Sequence, residues 1–438
     1  RMSPTRRSFL RTGSLSLAAL GLGGLSPASA ASPVAAPSAS STAAGAPEPG
    51  PPQELASLTA GVVPLGPEDF ALRREKARRL LAERGFDALF VGGGTNLLYF
   101  TKVGWWLSER VFGVVLSRKR DPVWVCPAFE VKRAEELVPA GQEIRVWEEH
   151  EDPYALIGGV LKDLGAAAGK LATAPDLRAF EVHGLRRALP ALEIVDGAAV
   201  TEGCRGVKTA KEIAFMDLAN RITKLAFREG FKSLRTGMTT RDLAGAISAA
   251  TQKLGSTGGG GPQFGPNTAF PHGSQVPRTL TDGDVVLVDG GCGVEGYRSD
   301  VTRTVVFGRP TDRQRRVWDI VRKAQQAALA AARPGETCES VDRAARKVVE
   351  DAGFGPGYKY FAHRLGHGIG MEGHEYPYLV KGNTLRIEPG MTFSNEPGIY
   401  IYGEFGVRTE DCMVVTETGA RHLGGLEAVS IEEPFGAN

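Results

Sequence analysis

This chain of 438 residues has few cysteines and histidines, and its net charge is small. Its five cysteines are odd in number and never form a Cys-x-x-Cys pair, which argues against both a disulfide framework and a zinc–thiolate site. We therefore expect buried, inert thiols. The formal net charge is only +2, so the composition gives no reason to expect binding to nucleic acid. After residue 30, no apolar run reaches the length of a membrane-spanning helix, so no membrane partner is expected.

The first thirty residues have the pattern of an export signal. Arg6 and Arg7 precede a short apolar run at residues 15–25, and the small residues Ala28-Ser29-Ala30 follow it. A charged start, an apolar stretch too short to span a bilayer and small residues before a cleavage site are typical of a secretory peptide. The paired arginines are typical of the twin-arginine type, whereas a disordered basic tail would leave the apolar run unexplained. We predict a signal peptide at residues 1–30, export to the periplasm, and a mature net charge of −2 after the loss of four arginines.

The remainder of the chain divides into a linker and two domains. Residues 31–61 are mostly Ala, Ser, Pro and Gly, and such a segment buries too little apolar surface to offset the entropy of ordering it, so it is predicted to be a flexible linker. The chain beyond the linker is long enough for two domains with full cores. We place the first at residues 62–200 and the second at residues 201–438.

The first domain alternates between helical and strand-like segments. A helix is predicted from Pro67 to Gly85, with proline at its start and glycine at its end. Strand-like runs lie beyond it at residues 87–91, 111–116, 123–125 and 144–147. Alternation of this kind is typical of an α/β layer domain.

The second domain begins with a capped helix and ends in strands. Thr209 and Glu212 form a capping box. The glycines at residues 258–261 are not followed by Lys-Ser or Lys-Thr, so they predict a flexible connector and not a phosphate-binding loop. A strand at residues 285–289 and helices at about 311–332 and 337–352 come next. The last eighty residues are rich in turn and strand formers, which predicts helices packed on an antiparallel sheet.

Two aspartates lie on neighbouring predicted strands of the second domain. Asp289 ends the apolar run VVLVD, and Asp300 lies eleven residues later, with Gly290, Gly291 and Gly296 marking a turn between the strands. Two carboxylates that project into one space repel each other unless a cation lies between them. Aspartates in surface hairpins are common, so this pair alone is weak evidence for a metal.

His367 lies in the segment HRLGHGIGMEGHE, where four glycines fall within eight residues. So many glycines oppose a helix, and with it a zinc-binding pair of His363 and His367 one helical turn apart. They favour extended backbone that passes close to a bulky group such as a metal cluster. Four of the seven histidines fall between residues 272 and 374, and this clustering favours function over a purely structural histidine.

Two glutamates lie in apolar segments near the C-terminus. Glu396 occurs in FSNEPGIY and Glu410 in GVRTED, and both are expected inside strands. An acid in a buried strand is costly unless it is paired or binds a metal. The alternative for Glu410 is a surface ion pair with Arg408, because residues two apart share one face of a strand.

Together these residues offer four carboxylates and one imidazole. Oxygen-rich donors favour Mn²⁺, with Co²⁺, Fe²⁺ or Zn²⁺ as alternatives, and the lack of thiol ligands disfavours copper. One divalent ion would leave much of the negative charge uncompensated, whereas two ions balance all four carboxylates. Two metals about 3.5–4 Å apart can share a water molecule, lower its pKa and hold the resulting hydroxide for attack. The set therefore predicts a two-metal hydrolase.

Five segments of the sequence carry a resemblance to a known family. The segments VVLVDGG, YRSDVTRTV, HRLGHGIGMEGHE, FSNEPGIY and FGVRTED resemble, in order and spacing, the pita-bread metallopeptidases, which include methionine aminopeptidase, aminopeptidase P, prolidase and creatinase. The resemblance implies a two-domain α/β protein, with an N-terminal creatinase-like α/β domain and a C-terminal α+β pita-bread domain built on an antiparallel sheet. It also implies a homodimer or higher homo-oligomer.

The resemblance further implies how the two ions would be bound. Asp289 would bind one ion, His367 and Glu396 would bind the other, and Asp300 and Glu410 would bridge both. Glu396 is also the residue expected to exchange a proton with the shared water.

Other residues match positions of the family that contact substrate. His374 is similar to the histidine that steadies the developing oxyanion, an electrostatic role, and His272 is similar to the substrate-side histidine. His363 and Arg408 match positions near the proline pocket of the proline-specific branch. The resemblance therefore implies catalytic roles for Glu396, His374 and His272.

Short proline-containing peptides are the substrates that this branch implies. An X–Pro bond has no amide hydrogen and carries a rigid ring, so a pocket must recognise shape and terminal charges. Trp105 and Trp106 are candidates for a lid, in the same subunit or in a partner's site; packing within their own domain is the alternative.

Several alternatives stay open. Methionine aminopeptidases usually lack the N-terminal domain, and creatinase-type relatives lose the ligands that this chain keeps. A hydrolase or lyase of the same fold that acts on a non-peptide molecule is the second enzyme hypothesis, and a peptide-binding pseudoenzyme is the third. The fourteen-residue spacing of Glu396 and Glu410 resembles compact prolidases more than aminopeptidase P, which favours a dipeptidase over an aminopeptidase without deciding between them.

Overall fold

A six-stranded mixed sheet is the centre of the N-terminal domain in the computed structural model, which describes residues 55–436. Its strands are β1 (Ala88–Gly92), β2 (Gly113–Ser117), β3 (Val123–Pro127), β4 (Glu143–Trp147), β5 (Lys170–Thr173) and β6 (Glu193–Asp196). They lie in the order β4-β3-β2-β1-β5-β6, with β2 antiparallel to both of its neighbours and the other pairs parallel. The predicted signal peptide and most of the predicted linker lie outside the described residues.

Helices surround this sheet. They are α1 (Pro67–Arg84), α2 (Thr95–Thr101), α3 (Val131–Leu137), α4 (Pro153–Asp163), α5 (Ala179–Ala188) and α6 (Ala198–Arg205). Alternate residues of β1 enter two separate cores, with Leu89 and Val91 in one and Ala88 and Phe90 in the other, because successive side chains of a strand point to opposite faces. The α/β layer organisation expected from the sequence is confirmed.

The first predicted helix is confirmed almost to the residue. Pro67 is the first residue of α1, where its missing N–H costs no helical hydrogen bond. Gly85 ends the helix in the left-handed conformation, with φ of 66°, which a glycine adopts without strain. The four predicted strands match β1 to β4 within two residues at each end.

The C-terminal domain contains four long helices and eleven strands among the described residues. The helices are α7 (Ala210–Lys232), α8 (Thr240–Lys253), α9 (Asp312–Ala331) and α10 (Cys338–Asp351). The first strands are β7 (Gly258–Phe264), β8 (Val285–Val294), β9 (Tyr297–Arg298) and β10 (Val301–Val306). The later strands are β11 (Gly366–Gly368), β12 (Glu375–Leu379), β13 (Thr392–Asn395), β14 (Gly398–Ile401), β15 (Phe405–Arg408), β16 (Asp411–Val415) and β17 (Ala420–His422).

The strands of this domain pair antiparallel throughout. One sheet has the order β10-β8-β7, with β9 pairing with the end of β8, and a second has the order β12-β11-β13-β16-β17. The hairpin β14–β15 completes the set. Helices α7 and α8 pack with β7 and β8 around one core, and α9 and α10 contribute to another. Helices packed on an antiparallel sheet, the arrangement expected from the sequence, are confirmed.

The capping box predicted at the start of this domain is also confirmed. The Thr209 hydroxyl accepts a hydrogen bond from the Glu212 N–H at 3.3 Å, and the Glu212 carboxylate accepts one from the Thr209 N–H at 2.6 Å. Two backbone donors that a helix start leaves unpaired are thereby satisfied.

The prediction of a flexible connector at Gly258–Gly261 is wrong. These residues form the first half of β7 and pair with β8, with Gly260 opposite Gly290. A Cβ on Gly260 would lie 2.6 Å from Val288 and 3.1 Å from the Phe227 ring, so glycine allows the strand to pack closely against its neighbours. The glycine run therefore reflects tight packing and not flexibility.

The turn between Asp289 and Asp300 is shorter than the glycines suggested. β8 continues through Gly290 and Gly291 as far as Val294. Only Gly296 of the three glycines lies in the turn, with φ of 82°, and the two aspartates still come from neighbouring strands.

A buried ion pair joins the two domains. Arg73 of α1 donates to the Glu212 carboxylate at 2.6 Å and to the Tyr297 hydroxyl at 2.7 Å, and also to the Tyr99 carbonyl at 2.8 Å. Arg73 and Glu212 are both buried. Burial disfavours ionised Glu212, but Arg73 and Tyr297 together lower its pKa below the usual value.

The five cysteines are free and buried, as predicted. Burial raises the pKa of Cys126 and of Cys204 to about 12, which keeps these thiols protonated and unreactive. Within residues 55–436, no helix combines the length and the apolar character needed to cross a membrane.

Candidate metal centre

Five segments of the C-terminal domain bring the predicted ligands to one place. Asp289 lies in β8, Asp300 immediately precedes β10, and His367 is the central residue of β11. Glu396 follows β13 and Glu410 immediately precedes β16. The sequence places these residues far apart, and the antiparallel pairing of short strands brings their side chains together.

The donor atoms form overlapping groups. In each group the donor atoms lie within 4.8 Å of one another, and the groups are Asp289 with Asp300 and Glu410, His367 with Glu396 and Glu410, and Asp300 with His367 and His374. Asp300, His367 and Glu410 each occur in two groups, and of these the two carboxylates have the two oxygens that a bridging ligand needs. Carboxylates with one or two imidazoles form a donor set that suits Mn²⁺ and similar ions, so the residues fit a metal.

Glu396 and Glu410 lie between strands, not inside them as expected. Glu396 separates β13 from β14, because Pro397 has no N–H to continue the pairing. The Glu410 N–H bonds to the Thr302 carbonyl at 3.1 Å, across to β10. The alternative of a surface pair with Arg408 is wrong, since the side chains of both residues are almost fully buried.

The His367 imidazole is oriented by its own backbone. Its Nδ1 lies 3.1 Å from the Gly368 carbonyl, to which it must donate, so Nε2 is the nitrogen that faces the acids. Burial opposes a charged ring, but Glu396 and Asp300 raise the pKa of His367 in the metal-free protein, where Nε2 donates to Glu396; a metal ion would take the place of that proton. Nε2 lies 3.2 Å from Glu396 Oε1 and 3.7 Å from Asp300 Oδ2. The extended backbone predicted from the glycines is confirmed in β11.

Thr302 and Arg408 hold the carboxylates on the other side of the centre. The Thr302 hydroxyl donates to Glu410 Oε2 at 2.6 Å and accepts from Arg408 Nε at 3.0 Å. Arg408 Nη2 donates to Asp289 Oδ2 at 2.6 Å. The sequence interpretation did not include Thr302, although its position two residues after Asp300 places it on the same strand face.

Without a cation, the acids of the centre resist ionising together. Burial, together with neighbouring carboxylates, raises the pKa of Asp300 and of Glu410 well above the usual values. Glu396 is buried too, but its hydrogen bond with His367 lowers its pKa to about 2. Divalent cations remove this repulsion, so the electrostatics of the centre favour metal binding.

His374 lies directly against the ligand set. Its ring stacks on that of His367 with centroids 3.6 Å apart. Partial burial lowers the pKa of His374, and the neighbouring His367 lowers it further. His374 is therefore neutral at physiological pH and can donate a hydrogen bond from the surface of the centre.

The other residues predicted to contact substrate, His363, Arg408 and His272, lie outside the groups of donor atoms. His363 Nε2 lies 2.8 Å from the Tyr400 hydroxyl, which also accepts from Arg408 Nη1 at 2.9 Å. Tyr400, which the sequence interpretation omitted, thus joins His363 to Arg408 beside the ligands. His272 is exposed on the loop that precedes β8, near enough to His374 for their charges to interact.

Comparison with known proteins identifies the family. The model of metallopeptidase family M24 matches residues 214–417, and that of the creatinase/prolidase N-terminal domain matches residues 73–207. A Xaa-Pro dipeptidase of Lactobacillus helveticus is 37% identical over 351 residues, which cover 79% of this chain and 94% of that protein. The chain belongs to metallopeptidase family M24.

Solved structures agree with this assignment. The dipeptidase PepE of Mycobacterium ulcerans matches the M24 enzyme with a TM-score of 0.77 and 34% identity, covering 82% of this chain and 96% of that one. A prolidase of Thermococcus sibiricus matches with a TM-score of 0.74 and 30% identity, covering 82% and 97% respectively. The expected pairing of a creatinase-type domain with a pita-bread domain is confirmed.

Trp105 and Trp106 of the M24 enzyme stack on each other, with ring centroids 5.1 Å apart. Trp105 is buried and also stacks on Phe112 of its own domain at 3.7 Å, as the alternative interpretation expected. Trp106 is 46% exposed and lies under the Arg133 guanidinium at 4.0 Å. A lid role for Trp106 stays a prediction.

Metal affinity of the M24 enzyme should rise with pH. Without metal, the raised pKa of Asp300 and of Glu410 keeps these carboxylates protonated to a higher pH than is usual for an acid. Metal binding must displace those protons. We expect Mn²⁺ affinity to increase with pH until both groups are ionised, and to level off above that. Calorimetric titrations in buffers of different ionisation enthalpy measure the protons released. Affinity that is constant from acidic to alkaline pH, without proton release, would contradict this expectation.

Proposed function

We propose that this M24 enzyme is a Xaa-Pro dipeptidase that hydrolyses the X–Pro bond of dipeptides with the help of two divalent ions. The observation that carries the proposal is the convergence of Asp289, Asp300, His367, Glu396 and Glu410, whose donor atoms form overlapping groups within 4.8 Å. The similarity to a Xaa-Pro dipeptidase over 94% of that protein supports the substrate class.

The metal ions would occupy these overlapping donor groups. Asp289 would bind one ion and His367 with Glu396 the other, while Asp300 and Glu410 would contact both; Mn²⁺ fits the donor set best. When bound, the ions would lower the pKa of a shared water molecule and so supply the nucleophile.

Glu396 is placed to move the proton. With its pKa lowered to about 2, it is ionised at neutral pH. The Ser394 hydroxyl donates to Oε1 at 3.0 Å, which leaves Oε2 to accept a proton. The proline nitrogen leaves as a secondary amine and must gain a proton, which Glu396 can return to it.

His374 would stabilise the charge that develops on the substrate carbonyl oxygen. Its stacking on His367 places it at the surface of the ligand set. As a neutral imidazole it donates one hydrogen bond without repelling the metal ions. A fixed donor aimed at a developing oxyanion typically contributes about 10²–10³-fold to kcat.

Tyr400, His363 and Arg408 form a rigid polar surface beside the centre, and this surface suits recognition of the proline residue of the substrate. Tyr400 is held by both His363 and Arg408, and Arg408 Nη1 also donates to the Pro271 carbonyl at 2.9 Å. Since proline offers no N–H, a rigid wall that selects ring shape is more useful than a backbone acceptor. The short β14–β15 hairpin, with three residues between its strands, supports a compact pocket.

Substrate preference tests the proposal. Full-length enzyme treated with chelator should be inactive and should recover with Mn²⁺. It should then cleave Ala-Pro with a kcat/KM about 10–200-fold above that for Ala-Pro-Ala, the range over which a pocket discriminates against an added group. Product analysis by chromatography measures both reactions. Faster cleavage of Ala-Pro-Ala would indicate an aminopeptidase, and cleavage of neither would favour the non-peptide alternative.

A further inference from the structure

Glu375, the residue after His374, is buried between two cations. Lys208 Nζ donates to its Oε1 at 2.8 Å and Arg205 Nη2 to its Oε2 at 2.5 Å. Only 6% of the Glu375 side chain is exposed, and 2% of Lys208. Burial opposes ionisation of Glu375, but Lys208 and Arg205 together lower its pKa below the usual value. The cluster is therefore a charged, fully paired group beside the active site.

Both cations of this cluster come from outside the sheet that contains Glu375. Arg205 is the last residue of α6, which extends past the predicted domain boundary at residue 200 and belongs to the N-terminal domain, because Val200 and Cys204 pack in its core and the N-terminal family match ends at residue 207. Lys208 lies in the connection to the C-terminal domain. Arg205 also donates to the Asn96 side chain at 3.1 Å and to Glu372 at 3.0 Å. Because Asn96 is a buried residue of α2, the N-terminal domain holds Arg205 in place.

The same carboxylate organises the segment between β11 and β12. Glu375 Oε2 accepts from the Glu372 N–H at 3.4 Å, and the Gly370 N–H donates to the Glu372 carbonyl at 3.2 Å. A Cβ on Gly370 would lie 2.5 Å from Glu375 Oε1. His374 lies at the end of this glycine-containing segment, whose backbone freedom the ion pairs restrict.

We propose that Glu375, held by Arg205 and Lys208, is a positioning residue that keeps His374 stacked on His367, so that the N-terminal domain contributes to turnover in its own chain. The proposal rests on the role given to His374 under the proposed function. His374 is itself exposed, so its placement depends on the backbone to which it is attached. Displacement of a catalytic group by about 1 Å can reduce a rate by about 10²-fold.

Glu375→Gln tests this role, because it keeps the shape of the side chain and removes its charge. In the Mn²⁺-loaded full-length enzyme, kcat for Ala-Pro should fall by roughly 10–100-fold. KM should change by less than about 3-fold, since His374 acts on charge that develops after binding. Metal content should equal that of the wild type.

The Arg73–Glu212 pair offers a matched control. It too is buried and joins an N-terminal arginine to a C-terminal glutamate, at 2.6 Å. Glu212→Gln should lower the unfolding temperature as Glu375→Gln does, yet leave kcat within about 3-fold of the wild type, because the Glu212 carboxylate bonds to Arg73, Thr209 and Tyr297. An equal loss of kcat in both variants would reduce Glu375 to a structural role.

A double-mutant cycle with His374→Ala shows whether Glu375 acts through His374. If it does, Glu375→Gln should cost less than about 3-fold in kcat once His374 is alanine. An undiminished loss in that background, or an unchanged kcat of folded Glu375→Gln, would overturn the proposal. Should Glu375→Gln fail to fold, Arg205→Lys tests the same contact, with the same expected loss and the same cycle.

Failure of the proposed function would look different. A wild-type enzyme that does not cleave Ala-Pro, or a His374→Ala variant with wild-type kcat, would remove the premise. If both results support the premise, an unaffected Glu375→Gln enzyme overturns the positioning role alone.

Discussion

Asp300→Ala is expected to abolish the cleavage of Ala-Pro that Mn²⁺ restores, with kcat/KM lowered by about 10³-fold or more. Loss of one electrostatic donor in an acyl-transfer site already costs about 10²–10³-fold, and Asp300 belongs to two of the overlapping donor groups. Activity assays on chelated and reloaded enzyme, together with metal content per chain, measure the effect. An active Asp300→Ala enzyme with full metal content would falsify the two-metal proposal.

Asp300→Ala should not lower the stability of the metal-free protein, although it abolishes activity. Burial and Asp289 raise the pKa of Asp300, so this carboxylate favours folding below its unfolded pKa and loses that contribution as pH rises through the folded value. Above the unfolded pKa, either keeping Asp300 protonated or ionising it beside the other carboxylates opposes folding. Metal-free Asp300→Ala should therefore unfold at the same temperature as metal-free wild type or higher, while added Mn²⁺ should stabilise the wild type more.

Asp284→Ala is a suitable control for the effect of losing an aspartate. Asp284 directly precedes β8, the strand that carries Asp289, and is 8% exposed. It accepts from Arg278 at 2.7 Å and from the Thr281 N–H at 2.9 Å. Its loss should lower stability by about 0.5–1.5 kcal/mol, because Arg278 and Thr281 lose an acceptor but remain partly accessible to water, and should leave kcat and metal content near wild-type values.

Glu396→Gln should produce the second large loss, a fall in kcat of about 10²–10⁴-fold, the contribution typical of a general acid–base residue. The amide keeps the size of the side chain but cannot accept the proton that the proline nitrogen needs. KM should change far less than kcat, since the proton moves after binding. Steady-state kinetics at saturating Mn²⁺, with metal content determined on the same sample, separate proton transfer from ligand loss.

Glu427→Gln controls for the loss of an ionised glutamate paired with histidine. Glu427 lies 3.3 Å from His422 Nδ1 and accepts from Arg322 at 2.9 Å, and its pKa is also lowered to about 2, first by His422. It lies outside the ligand groups, so its replacement should leave kcat near the wild-type value. Comparable losses in both variants, or wild-type kcat in Glu396→Gln, would contradict the role of Glu396.

The proposed ligands stand out in the sequence because their chemistry is unusual where they occur, and the structure brings their donor atoms together. A histidine among closely spaced glycines, as at His367, and acids in apolar segments, as at Glu396, need partners that a folded core must supply. Helix ends could also be predicted, because Pro67, Gly85 and Thr209 start or stop a helix through contacts within one turn.

Features that depend on distant contacts could not be predicted in this way. Gly260 looks flexible in sequence, and only the closeness of Val288 and Phe227 shows why glycine is required there. The strand break at Glu410 depends on a hydrogen bond to Thr302. For the same reason the sequence interpretation did not identify Glu375, whose partners come from another domain.

Thr302 and Glu410 are 108 residues apart in the chain, yet they form a β-bridge and a 2.6 Å hydrogen bond at the centre. We expect contacts between segments so distant in sequence to form late in folding, because a long loop must close first. A partly folded chain therefore lacks a complete donor set, and metal ions stabilise only the finished fold. We therefore expect metal binding to accompany the last step of folding and to stabilise the contact between strands β8–β10 and strands β13–β16, which flank the proposed carboxylate ligands.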